Sequence, residues 1–575
     1  MKHVICSVLL SVVAGGAIAQ NPIKVNQVGY GANEEKIAVI EPQVKAKSFV
    51  IKDAKGRKVW SGKANIAIKS PFNDKVRRQV DFSRITTPGT YTLYAGKQSQ
   101  QVIISQNPNN EVAAAALKAF YLQRTAMPIE EKYAGAYARP MAHPDNKVIV
   151  HPSAASASRP AGTVISSPGG WYDAGDYNKY IVNSAFTIGM MLQAYQLNKD
   201  YFDAMDVNIP ESGNGVADLL DEVMYNIKWM MTMQDPEDGG VYHKLTTPNF
   251  EGFVMPKECA QPRYVVQKST QAALDFAATM ALAARIYAQY PSYQSFCREA
   301  VDAAERAYAW AVKNPNVIYD QPGNNDKYDP DVFTGMYDDK QTGDEFFWAA
   351  TELYLTTHQS SYLAVARLFV PTKYALPTWG DVSGLAIHQW LNQEILKTCD
   401  AQTMAIYINK VKESLKEFCN ADISALAQSC YHSVFGNKAS DFVWGSNSEM
   451  CAGRGIALMY EHALSGDDKY RRAALTALDH LFGRNATGYC YVTGFGTQRV
   501  MNPHQRISAA DGVADPMPGF LAGGANSGKQ DAEYVPAYAD SPDECYQDHV
   551  GSYASNEIAI NWNAYLVSLL SMAKY

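Results

Sequence analysis

The chain has 575 residues, 47% of them apolar, and a net charge of −7 from 51 basic and 58 acidic side chains. That length exceeds one ordinary core and points to a small domain joined to a large one. The composition excludes a disordered chain, and the mixed charge shows none of the basic stripe that a nucleic-acid binder carries.

The first residues read as an export signal. Lys2 and His3 precede an apolar run from Val4 to Val13, and Ala17-Ile18-Ala19 supplies small residues for cleavage. Residues 1–19 are therefore expected to be removed, leaving a mature chain that starts at Gln20 in the periplasm, at the cell surface or outside the cell. The run is too short to cross a bilayer, and no later stretch is long enough to form a transmembrane segment. Cys6 lies inside the run, which argues against a lipid anchor. Eight cysteines remain: Cys259, Cys297, Cys399, Cys419, Cys430, Cys451, Cys490 and Cys545. None forms a C-x-x-C pair; export allows some to pair, and the connectivity is open.

Residues 20–106 read as β. Ile23–Val28, Lys36–Ile40, Ser48–Ile51, Lys58–Trp60, Gln79–Phe82, Thr90–Tyr94 and Gln101–Ile104 are short runs with strand character, separated by turns such as Asp53-Ala54-Lys55-Gly56. Short strands at this spacing predict a β-sandwich. Gln106–Asn110 breaks the pattern and marks the boundary. From 107 to 575 the periodicity is helical. Helices are expected near 111–123, 184–198, 215–234, 272–287, 292–313, 344–357, 361–370, 383–397, 402–417, 450–464, 468–483 and 557–573, a number that suits a barrel of six inner and six outer helices. Long non-helical stretches at 128–172, 235–269 and 485–556 read as functional loops.

Three of these stretches carry chemistry. Gly169–Tyr180 holds Asp173 and Asp176 three residues apart around Gly175. Such a pair can hold a water from two sides, one carboxylate orienting it and the other taking its proton. A calcium loop or a plain surface turn has the same spacing. Near the end, Asn556-Glu557-Ile558-Ala559 puts Glu557 at the expected start of the last helix. The helix dipole lowers a carboxyl pKa there, so a general acid at Glu557 requires desolvation or a neighbouring anion. Asn502-Pro503-His504-Gln505-Arg506 offers His504 and Arg506 as donors to hydroxyls, or as ordinary loop packing.

Together these segments resemble glycoside hydrolase family 9, the inverting cellulases with an (α/α)6 barrel. The resemblance rests on Asp173-Ala174-Gly175-Asp176 with Lys179-Tyr180, on Asn502–Arg506, and on Asn556–Ala559 with Trp562-Asn563-Ala564. It extends to Gly213–Glu222, Gln234–Lys244, Gly343–Ala350 and Trp444–Asn447, in family order over about 107–575. It implies an N-terminal all-β immunoglobulin-like sandwich before an all-α barrel, and an endo-acting hydrolase of β-1,4-glucan or cello-oligosaccharides. Asp176 matches the base, Asp173 its partner on the water, and Glu557 the acid. His243, Trp444, His504, Arg506, Tyr553 and Trp562 match positions that contact sugar. Asp344 and Glu345 match a calcium site, with Asp381 as a further candidate ligand. Trp562 stands where many members have Tyr, and Ser552 where many have Asp. No cofactor is expected for catalysis. No zinc is expected either, because His143 and His151 have no cysteine near them in sequence. A monomer is expected. An exo-acting enzyme releasing glucose or cellobiose, and a glucan-binding protein without catalysis, are the alternatives; the second is disfavoured by the intact Asp173, Asp176 and Glu557. Phe49, Trp60 and Phe82 sit at alternating core-like positions, so the β-domain is expected to brace the barrel rather than bind glucan.

Overall fold

The computed structural model describes residues 21–64, 66–392 and 401–574. The proposed signal segment and Cys399 lie outside them. Nine strands open the chain: β1 (Ile23–Lys24), β2 (Tyr30–Gly31), β3 (Ile37–Ile40), β4 (Phe49–Asp53), β5 (Lys58–Gly62), β6 (Ile66–Lys69), β7 (Val76–Asp81), β8 (Gly89–Ala95) and β9 (Gln98–Ser105). They form two sheets, β1-β3-β7-β6 and β2-β9-β8-β4-β5. Alternation points Phe49, Ile51, Val80, Phe82, Leu93 and Val102 into one dry core between the sheets. β6 escapes the sequence reading because Ile66 is exposed and the strand has no clear buried face.

The barrel follows. Among the described residues, twelve helices have nine residues or more: α1 (Asn110–Leu122), α2 (Ile181–Leu197), α3 (Asp218–Thr232), α4 (Thr270–Tyr287), α5 (Gln294–Lys313), α6 (Gly343–Thr357), α7 (Ser360–Leu368), α8 (Ser383–Leu391), α9 (Ala401–Leu426), α10 (Gly453–Ser465), α11 (Asp468–Leu481) and α12 (Ile560–Met572). The even-numbered helices pack in a closed ring, α2 on α4, α4 on α6, α6 on α8, α8 on α10, α10 on α12 and α12 back on α2. Their composition explains the ring. α2, α4 and α12 are apolar or small nearly all round and are buried along almost their whole length, as a helix wrapped by neighbours must be. α5 and α11 are strongly amphipathic and lie outside. This is the expected (α/α)6 architecture. No helix of the described residues is long and apolar enough to cross a membrane.

The sandwich is fastened to the barrel by polar contacts. Gln27 donates to the Gly488 carbonyl and accepts from the Thr497 and Gln498 amides. Buried Arg77 pairs with Glu41 at 3.0 Å and lies 4.5 Å over the Tyr431 ring. Lys75 of the sandwich pairs with Glu544, in the long loop that leads to Glu557. The seven described cysteines are all unpaired. The pairing that export allows is therefore absent among them.

Candidate active site

The loops gather at one end of the barrel, where a small sheet organises them. Its strands are β10 (Val148–Val150), β11 (Val164–Ile165), β12 (Lys179–Tyr180), β13 (Lys244–Thr246) and β14 (Tyr264–Val265), in the order β11-β10-β14-β13-β12. Strands of two or three residues leave no periodicity to read, so the sequence does not announce this sheet. It pairs Lys179 with Leu245 and Tyr180 with Lys244, which anchors the chain where it leaves the Asp173–Asp176 turn.

Asp173 and Asp176 are 3% and 5% exposed. Asp173 accepts from Asn183 Nδ2 at 2.8 Å and from Tyr337 Oη at 2.7 Å. Burial, reinforced by the Asp176 charge, raises its pKa to about 7. Asp176 accepts from Asn178 Nδ2 at 2.6 Å and Tyr180 Oη at 3.2 Å, both on Oδ2. No hydrogen bond from a described residue falls on its Oδ1, so that oxygen can take a proton from a water.

Glu557 comes from the far end of the chain. It does not open the last helix as expected: α12 begins at Ile560, and Glu557 is extended, bridged in parallel to His504. Glu557 therefore lies before the N-cap of α12 and outside its first turn, where the dipole acts most strongly. Burial first, then the Asp176 charge, raise its pKa well above the carboxylate range, which suits a general acid. Gly175 brings the two halves together. An added Cβ there would lie 2.0 Å from the His504 carbonyl oxygen and 3.2 Å from Glu557 Oε1. The glycine is needed for close approach, since its backbone is not left-handed. Arg506 N and Nη1 both donate to the Gly175 carbonyl, and Ile560 N donates to the Asp173 carbonyl at 2.9 Å.

The remaining expected contacts divide. His504 Nδ1 lies 2.6 Å from the Val550 carbonyl, which can only accept, so Nδ1 carries the proton. Burial lowers the ring's pKa to about 4, which leaves Nε2 as an acceptor for a sugar hydroxyl rather than the expected donor. Trp444 is 41% exposed and lies 5.3 Å from the Tyr553 ring, which in turn faces His504 at 6.0 Å. These three rings line a wall. Two expectations are corrected. His243 is fully buried, with its ring nitrogens on Ser269 Oγ and the Met336 carbonyl, so it has no face for sugar. Instead it and Lys244, which donates to the Gly335 carbonyl, fix the loop that presents Tyr337. Trp562 is 7% exposed and packs under Gly445 and Gly523; it supports the Trp444 segment from below.

Tyr337 is the functional residue that sequence reading missed. It adopts φ 51°, a left-handed conformation that costs a bulky residue energy and marks a position held by its surroundings. An isolated tyrosine in an acidic loop carries no motif; its role exists only because His243 and Lys244 hold the loop over Asp173.

A second acidic cluster lies at the start of α6. Asp339, Asp344 and Glu345 present ligand oxygens all within 4.8 Å of one another. Both oxygens of Glu345, both of Asp275 and Oδ2 of Asp339 are buried without a hydrogen-bond partner. Burial and mutual repulsion push Asp275 and Glu345 well above the carboxylate range and Asp344 to about 6. Hard oxygen ligands in this state fit a divalent cation. Asp381 is not among them: its Oδ1 accepts from Ser383 N and Oγ at the start of α8. Asp339 takes the place expected for it.

An α/α barrel with an immunoglobulin-like domain in front, and a buried carboxylate pair facing a third carboxyl of raised pKa, defines a glycoside hydrolase. Comparison with known proteins narrows this. Residues 110–570 match the model of glycosyl hydrolase family 9, and 19–100 match the cellulase N-terminal ig-like domain. The chain belongs to glycosyl hydrolase family 9. It is 50% identical to a xyloglucan-specific endo-β-1,4-glucanase of Bacteroides ovatus over 99% of this chain and 98% of that protein. Endoglucanase D of Acetivibrio thermocellus is 32% identical over 96% of this chain and 83% of its own length. A solved family 9 structure from Bacteroides ovatus superposes with a TM-score of 0.90 at 49% identity, covering 96% of this chain and 98% of that one.

Proposed function

We propose that this glycosyl hydrolase is an exported endo-β-1,4-glucanase that acts by inversion and takes xylosyl-branched glucan as its preferred substrate. The observation that carries the reaction is the Asp173–Asp176 pair joined through Gly175 to Glu557, whose carboxyl is pushed well above the carboxylate range by burial and the Asp176 charge, in the direction a proton donor needs. Asp176 Oδ1 takes the proton of a water that Asp173 helps to hold. The water attacks the anomeric carbon while Glu557 protonates the departing oxygen. His504 Nε2 and Arg506 hold the sugar at the cleavage point, and Trp444 and Tyr553 stack on neighbouring rings. The branched substrate is suggested by the Bacteroides ovatus relative, which matches nearly end to end. The relatives that include a cellodextrinase at 29% identity give the exo reading less support. A structural calcium ion is proposed at Asp339, Asp344 and Glu345, with Asp275 behind them; its role there is charge neutralisation, and no catalytic step passes through it.

The test uses xyloglucan and a soluble unbranched cellulose derivative. Endo cleavage drops viscosity steeply before many reducing ends appear, with faster turnover of xyloglucan. Proton NMR of fresh product should show the α-anomer first, as expected where a water attacks from the face opposite the leaving group. Viscosity falling only in step with reducing ends would overturn endo action, and an initial β-anomer would overturn inversion.

A further inference from the structure

The loop between β13 and β14 bears two phenylalanines that the reaction leaves unused. Phe250 and Phe253 are 45% and 44% exposed. Exposed aromatics in a pair beside a catalytic centre mark a contact surface. They are held firmly. The Arg506 guanidinium lies 5.4 Å from the Phe250 ring and 5.5 Å from the Phe253 ring. Arg506 is itself tied by Nε to the Glu251 carbonyl at 2.7 Å and by Nη1 to the Gly175 carbonyl at 2.9 Å. Phe253 meets the His504 ring edge-on at 5.4 Å.

The loop's ends are fixed to the same machinery. Thr247 N donates to Asn178 Oδ1, and Asn178 Nδ2 holds Asp176. Tyr177 Oη donates to the Val254 carbonyl at 2.7 Å. Phe333 N donates to the Pro248 carbonyl at 2.7 Å. The rings therefore stand on a loop pinned from both sides, at a set distance from the groups that hold the scissile sugar.

We propose that Phe250 and Phe253 form an apolar shelf that receives the xylosyl branch of the substrate beside the cleavage point, and so set the preference for branched over plain glucan. The proposal deepens the xyloglucan reading above and rests on it. A glucan backbone is a ribbon whose edges carry hydroxyls and whose faces are apolar. Rings with a polar handle, Trp444 and Tyr553, suit the backbone, because they can stack and still satisfy a hydroxyl. Phenylalanine offers only a C–H-binding face. A xylosyl group hangs from the ribbon's edge, lacks a hydroxymethyl arm, and has an apolar face that such a ring can cover. Plain glucan has nothing at that place and leaves the rings in water.

The experiment compares kcat/KM on xyloglucan with kcat/KM on an unbranched soluble glucan for wild type, Phe250→Ala, Phe250→Tyr and the Phe250→Ala/Phe253→Ala double variant. The branched-to-plain ratio is expected to fall about fivefold in Phe250→Ala and further in the double variant, and to return in Phe250→Tyr, which keeps the ring. A ratio unchanged in the Ala variants, or equal losses on both substrates, overturns the shelf. Wild-type turnover of plain glucan with none of xyloglucan overturns instead the substrate reading on which the shelf rests, and is seen before any variant is made.

Discussion

Replacing Tyr337 by Phe removes one hydroxyl and little else, because the backbone at 337 is held from below by His243 on the Met336 carbonyl and Lys244 on the Gly335 carbonyl. The lost bond is the 2.7 Å donation to Asp173 Oδ2. A hydrogen bond to a charged group is worth at least about 1.5 kcal/mol, and one pKa unit corresponds to about 1.4 kcal/mol. The hydroxyl favours the charged form, so its removal lifts the Asp173 pKa, already about 7, by about one unit more. Asp173 must be anionic to hold the water. The acid limb of kcat/KM against pH, which reports the free enzyme, therefore moves up by about one unit. Rates fall roughly tenfold on the acid side and recover as pH rises toward the limb set by Glu557. An unmoved acid limb, or one uniform loss at every pH, would refute the reasoning and reduce Tyr337 to packing.

Gly175→Ala puts a Cβ 2.0 Å from the His504 carbonyl oxygen, so the base and acid segments must separate; kcat/KM should fall about 10²-fold, and near-normal kinetics would show that the loops give way freely. Asp275, Asp344 and Glu345 have raised folded pKa values, so the native state binds more protons than the unfolded one above about pH 4, and without a cation stability declines as pH rises through their folded values. Melting in chelator should fall from pH 5 to pH 8, and calcium should flatten that slope; parallel curves with and without chelator would remove the ion. Arg77→Ala leaves Glu41 at the domain junction without its guanidinium and should cost about 3 kcal/mol in denaturant unfolding. A loss near zero would mean the sandwich is only loosely docked.

The legible part of the site was the part written in contiguous signatures. Asp173-Ala174-Gly175-Asp176, Asn502–Arg506 and Asn556–Ala559 each keep their chemistry within a few residues, and the structure brings all three to one cleft. The illegible part depended on burial. His243 looks the same in sequence whether it faces sugar or donates to the Met336 carbonyl, and its burial, with Ser269 and Met336 on its nitrogens and Tyr319 stacked on its ring at 4.2 Å, decides. Asp339 outranks Asp381 because the loop before α6 brings its carboxylate within 4.8 Å of Asp344 and Glu345, while Asp381 Oδ1 is turned to Ser383. Phe250 and Phe253 were passed over because two phenylalanines in a loop carry no signature until Arg506 is seen between them.

By itself the sequence determined what local pattern can specify: a strand period over 20–106, helical periods enough for a double ring of helices, and the short motifs that carry Asp173, Asp176 and Glu557. Side-chain spacing along the chain is a local property, so period and motif survive without a structure. Only the tertiary structure decided which charges act on one another and which oxygens stay free. Those depend on dielectric and distance between residues nearly 400 apart in the chain, as with Asp176 and Glu557. The close passage of Gly175 against His504 is the meeting point that no stretch of sequence contains.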